Sequence, residues 1–155
     1  MSDLGVMFGM MYGSFLLVLL VALVYGVFSA IAHYSLFKLY AYANWWLMFV
    51  PVGFQYALTD IVIEDDEQIT VFGQSISGKT FKLWGALSLA VSFIPAVGSI
   101  ASFVISVICL KECYQRIYAG CENETYEAMS SLALVSAIIQ PVAVVKFFNY
   151  RKLLK

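Results

Sequence analysis

The chain has 155 residues, of which 62% are hydrophobic and only 12% are charged, and its mean hydropathy is +0.85. Soluble domains carry about twice that charged fraction, so the composition excludes an ordinary water-soluble domain and points to an integral membrane protein. A formal net charge of −1 leaves no basic face for nucleic acid.

The first apolar run, Leu4 to Leu36, predicts one long helix. At 1.5 Å per residue it would measure about 50 Å, more than the ~30 Å hydrocarbon core of a bilayer. It must tilt, project into water, or break. Gly5, Gly9 and Gly13 form a small-xxx-small ladder, and Ala22, Gly26 and Ala30 form another; both permit close approach of a second helix, within the chain or between subunits. The start of the chain lacks the positive region of a signal peptide, and the apolar run is too long for one. The helix is therefore expected to be retained.

The second run, Leu39 to Leu58, is interrupted by Asn44, Pro51, Gly53 and Gln55, and its aromatics crowd the start. Trp45 and Trp46 suit the headgroup level. This pattern favours an interfacial or re-entrant element that turns at Pro51, with a full span as the alternative. The polar stretch Thr59 to Lys82 follows. There Ile61–Ile63 and Ile69–Phe72 flank an acidic run, Glu64–Glu67, which predicts a small β-hairpin with an acidic tip.

Gly73–Thr80 matches the phosphate-binding pattern G-x-x-x-x-G-K-[ST]. A true nucleotide site needs a parallel sheet with covering helices, for which this chain has no further soluble strands. The expected reading is a glycine-bounded turn, with Lys79 and Lys82 anchoring the next helix at the headgroups. Nucleotide binding is the least favoured function.

In the run Leu83 to Leu110, Ser88, Ser92, Ser99, Ser102 and Ser106 fall at 4-3-4-3-4 spacing with Pro95 in the remaining slot. On one continuous helix they form a single stripe, which would be a packing seam or a wet lining. The polar segment Lys111 to Ala128 carries a weak glycosylation sequon at Asn123. The last run, Met129 to Val145, has a similar stripe of Ala133, Ser136, Gln140 and Ala143. An amide at the depth of Gln140 needs a partner on another helix.

Cys109, Cys113 and Cys121 do not have metal-ligand spacing with the single histidine, His33. They read as packing residues, with a Cys113–Cys121 disulfide open if that loop faces an oxidising side. No carboxylate lies inside an apolar run, which disfavours a proton relay. Counting Lys and Arg by side puts the C-terminus in the cytoplasm whether three or four spans are drawn.

The Lys38–Pro51 segment after a long first helix, together with Ser92–Gly98, resembles small uncharacterised bacterial multi-pass membrane proteins. The acidic insertion departs from that pattern. The resemblance implies a bacterial membrane address and no particular activity.

The expected architecture is thus a single all-α membrane domain over residues 1–155, with three or four spans and one interfacial or re-entrant segment. The expected function is that of a non-enzymatic, cofactor-free and metal-free plasma-membrane protein. It would self-associate through small-residue faces as a pore-lining or structural subunit of a larger complex, of secretion or conjugation type. Ser88, Ser92, Ser99, Ser102, Ser106, Gln140, Gly5, Gly9 and Gly13 would be its contact residues. A holin-like permeabilising protein is the alternative.

Overall fold

The computed structural model describes residues 3–95 and 97–154, with side-chain surroundings for all of these except 3–6, 51, 52, 86 and 89. The fold is mainly helical with one two-stranded sheet. Helix α1 (Asp3–Leu39) leads through a 3₁₀ turn, Trp45–Phe49, into α2 (Pro51–Val62). Strands β1 (Gln68–Val71) and β2 (Gln74–Ser77) form an antiparallel hairpin, and α3 (Gly78–Ser92) begins where β2 ends. Then come α4 (Gly98–Glu122), α5 (Ser130–Ile138) and α6 (Gln140–Tyr150).

Among the described residues one helix, Met7–Leu39, is long and apolar enough to cross a membrane. Its environment divides in two. From Met7 to Phe28 every residue is exposed, whereas Ala32, His33, Ser35, Leu36 and Phe37 are buried. The exposed stretch is about 33 Å long at 1.5 Å per residue.

The buried end of α1 packs into one core. Ala32, Leu36 and Phe37 meet Ala57 and Leu58 of α2, Tyr114, Ile117 and Tyr118 of α4, Ala133 and Ala137 of α5, and Val144 and Phe147 of α6. Phe147 is central: its ring lies 5.3 Å from Tyr114, 5.4 Å from His33 and 6.1 Å from Tyr118. Edge-to-face aromatic pairs add about 0.5–1.5 kcal/mol each beyond the area they bury.

Three expectations are corrected. The run Leu83–Leu110 is not one helix. It breaks after Ser92, and α4 turns back along α3, so that Phe81 near the start of α3 shares a buried cluster with Ile105, Ile108 and Cys109 of α4. Pro95 lacks an N–H and its ring would strike the carbonyl four residues back. Gly98 completes the turn, because a Cβ there would collide with the Val91 carbonyl. The run Met129–Val145 is not one straight helix either: at Ile139 the chain leaves helical geometry (φ −110, ψ 81), and the two arms meet at 119° just before Pro141.

The third correction is the hairpin. Ile61 and Val62 continue α2, and the acidic run Glu64–Glu67 links that helix to β1. The tip is Phe72-Gly73, since Val71 pairs with Gln74. Both tip residues have positive φ, 51° and 79°, as a two-residue primed turn requires. Glycine accepts this at no cost, but a phenylalanine pays about 1–2 kcal/mol for the left-handed region.

Phe72 is 83% exposed, so little packing offsets that strain. Phe72→Asn is expected to stabilise the fold by about 1 kcal/mol, read as a higher melting temperature of the full chain in detergent. An unchanged or lower melting temperature would show that the Phe72 ring makes a compensating contact.

Candidate functional site

Three features stand out: a belt of ion pairs, an apolar rim and a cavity against α1.

The belt consists of three ion-pair clusters, each joining different elements. Lys82 Nζ of α3 donates to Asp60 Oδ1 of α2 at 2.8 Å and to Asp65 Oδ1 at 2.6 Å, and Tyr42 Oη donates to the other oxygen of Asp60. Arg116 of α4 donates to Glu67 at 2.6 Å and to Glu112 at 2.9 Å, while Tyr126 Oη donates to Glu112. Glu122 of α4 accepts from Lys146 Nζ at 2.7 Å and from Tyr150 Oη at 2.6 Å. Burial works against the Lys82 ammonium, yet the hydrogen bonds to Asp60 and Asp65 outweigh it and raise its pKa. The hydrogen bonds from Lys146 and Tyr150 lower that of Glu122.

The rim is apolar and exposed. At the α3–α4 turn Phe93, Ile94, Val97, Ile100 and Phe103 are 79%, 53%, 65%, 67% and 57% exposed. Leu134, Val135, Ile138 and Ile139 at the α5–α6 bend and Trp45, Trp46 and Phe49 on the 3₁₀ turn are exposed as well. Patches of this kind on a folded chain mark a membrane or protein contact.

The cavity, about 510 Å³, lies where α1 passes from exposed to buried. Tyr25, Gly26, Ser29, Ala30 and His33 of α1 form one wall, with Met48, Phe49, Phe54 and Gln140 opposite. His33 Nδ1 sits 2.7 Å from the Ser29 carbonyl. A carbonyl only accepts, so Nδ1 carries the hydrogen. Its Nε2 is buried and has no hydrogen-bond partner among the described residues.

The expected contact residues are dispersed rather than gathered. Ser88 and Ser92 lie on α3, and Ser99, Ser102 and Ser106 on α4, so no single helical stripe exists. Ser88 is buried, with Oγ 2.7 Å from the Gly85 carbonyl and 3.2 Å from Gln55 Oε1; Ser99 is exposed and Ser102 and Ser106 half-buried. Gln140 accepts from Tyr114 Oη at 3.0 Å, which supplies the partner on another helix that its amide needs. Gly9 and Gly13 have open space where a Cβ would stand, and the surroundings of Gly5 lie outside the described residues. Trp45 and Trp46 are exposed, as is Lys79, whereas Lys82 is buried in the belt.

The Gly73–Thr80 match does not have phosphate-loop geometry. Gln74–Ser77 are an extended strand paired as β2 rather than a wrapping loop, and the Gly78 and Lys79 N–H groups donate to the Glu67 and Asp65 carbonyls. Cys109, Cys113 and Cys121 are free thiols. No group of His, Cys, Asp or Glu that could hold a metal occurs among the described residues. Sequence reasoning passed over two signals: the pairing of Ser29 and His33 one turn apart, and the restriction of every Lys and Arg to position 38 and beyond.

Compared with known protein families, curated proteins and solved structures, the chain matches none.

The Glu122 clasp makes stability depend on acidity. Because the folded pKa of Glu122 lies below its ordinary 4.5, its contribution is complete above that value and is lost as pH falls through the folded one. The melting temperature in detergent is therefore expected to drop on acidification from pH 6 to pH 3. Glu122→Gln should begin lower and show a shallower drop; an identical pH profile would remove Glu122 from the account.

Proposed function

We propose that this is a non-enzymatic membrane protein with one spanning helix and a helical head seated in the cytoplasmic leaflet. The observation that carries the reading is the uninterrupted exposure of α1 from Met7 to Phe28, over about 33 Å. A bilayer's hydrocarbon core is ~30 Å thick, and lipid is the solvent that such a surface fits. The remaining apolar runs bend back at their breaks. Their exposed apolar residues suit the depth of a single leaflet, with the ion-pair belt toward water.

Charge supports the orientation. All nine Lys and Arg residues, from Lys38 to Lys155, lie on the C-terminal side of the exposed stretch of α1, and the N-terminal side carries only Asp3. Cytoplasmic flanks carry the excess of positive charge, which supports a head and C-terminus on the inner side. Self-association is proposed along α1, where open space at Gly9 and Gly13 would let a second copy approach closely. A stripe-lined pore is not favoured, since the serines face different surroundings on two helices.

Single cysteines in a chain lacking Cys109, Cys113 and Cys121 test the placement. Ser75→Cys and Lys152→Cys should react with a membrane-impermeant thiol reagent only after cells are opened. Phe93→Cys and Val97→Cys should stay protected on both sides. Labelling of either turn position from outside intact cells would mean that the α3–α4 hairpin crosses the bilayer.

A further inference from the structure

We infer that the α3–α4 hairpin is a wedge for one leaflet, through which the protein gathers on membrane whose cytoplasmic face is convex. This rests on the placement of the head in the cytoplasmic leaflet proposed above. Residues 83–110 include no charged side chain, while Lys79 and Lys82 precede them and Lys111 follows. Phe81 shares a buried cluster with Ile108 and Cys109. The charged ends of the two arms therefore lie side by side, with the Pro95 turn at the far end.

The reach of the hairpin fits a single leaflet. Its uncharged arms, residues 83–92 of α3 and 98–110 of α4, extend about 15 and 20 Å at 1.5 Å per residue. Half of a ~30 Å hydrocarbon core is about 15 Å, so a hairpin with its charged base at the headgroups ends near the bilayer centre.

Two features of the turn fit lipid tails better than water or a protein partner. Of its described residues from Phe93 to Ile100, all but Gly98 are exposed, which suits a fluid that surrounds the turn rather than a partner that covers one face. The turn also satisfies its own backbone donors. The N–H groups of Phe93, Ile94, Val97 and Gly98 donate to the carbonyls of Ala90, Val91, Pro95 and Ile94, and Pro95 has no N–H. An unpaired N–H is heavily penalised in hydrocarbon, whereas water would supply partners without such an arrangement.

The consequence is an asymmetry of area. α1 passes through both leaflets, whereas α3 and α4 add their cross-sections to one. With helix diameters of ~10–12 Å, the two add about 200 Å² to the cytoplasmic leaflet. A flat bilayer must compress that leaflet or stretch the other, and curvature that makes the cytoplasmic side convex relieves both. Insertion at one face of a bilayer is curvature-sensitive for this reason.

The test is sorting of the full chain between giant vesicles of phosphatidylethanolamine and phosphatidylglycerol and thin tethers drawn from them. Cys121→Ser with Lys152→Cys, labelled after reconstitution by an impermeant fluorophore, shows only molecules whose heads face outward. Cys109 and Cys113, each 1% exposed, stay unlabelled. The protein signal relative to a lipid dye is expected to rise about twofold as the tether narrows, a bias of ~0.4 kcal/mol. Adding Phe93→Asn and Val97→Asn should return the ratio to that of the vesicle.

Circular dichroism checks that this variant folds, and Ile100→Asn on the first turn of α4 replaces it if it does not. Enrichment that survives the substitutions, or none in the parent chain, would overturn the wedge. A fluorescent probe on Val97→Cys with brominated lipid separates the causes of a flat ratio. Quenching leaves the placement standing and removes the wedge alone. No quenching, whether a second copy covers the turn or water surrounds it, removes the placement as well.

Discussion

Outside a closed β-barrel, a segment crosses a bilayer as a helix whose backbone N–H and C=O groups are paired within it. Proline breaks that ladder, since it has no N–H and its ring displaces the carbonyl four residues back. The chain has three prolines, and each sits at a break: Pro51 as the first residue of α2 after the 3₁₀ turn, Pro95 between α3 and α4, and Pro141 at the start of α6. α1 has none, and it alone among the described helices is long and apolar enough to cross a membrane without a break. The architecture follows from where the backbone can and cannot stay straight.

What the breaks make possible, the belt holds in place. Each ionic cluster joins elements distant in sequence: Lys82 to Asp60, Arg116 to Glu67, Lys146 to Glu122. Pairs as exposed as these are worth only about 0–1 kcal/mol each. Lys82 differs, being 7% exposed and shared by two carboxylates, so its removal would leave Asp60 and Asp65 facing each other. The larger contribution comes from the aromatic core around Phe147.

Much of this was legible in the residues. The long apolar first run is a helix over Asp3–Leu39, and Pro51 with its aromatics indicated a turn in the second run. The reading went astray where periodicity outweighed a breaker. The serine spacing around Pro95 is helical on paper, yet Ser88 turns toward Gln55 of α2 and Ser99 lies beyond a reversal of the chain. In the hairpin, β-branched Ile61 and Val62 suggested a strand, but they are the last turn of a helix packed on the core. The His33 cavity was not legible, because its walls come from residues as far apart as Tyr25 and Gln140 and only the fold joins them.

The central claim is that the α3–α4 hairpin leaves the membrane on the side it enters. Spin labels placed one at a time from Leu87 to Val107 in proteoliposomes, with depth read from collision with oxygen and a water-soluble nickel chelate, test it most directly. The account predicts a depth profile that rises to a maximum near Phe93–Val97 and falls again toward Val107. A profile that passes from one aqueous face through the bilayer centre to the other would contradict it.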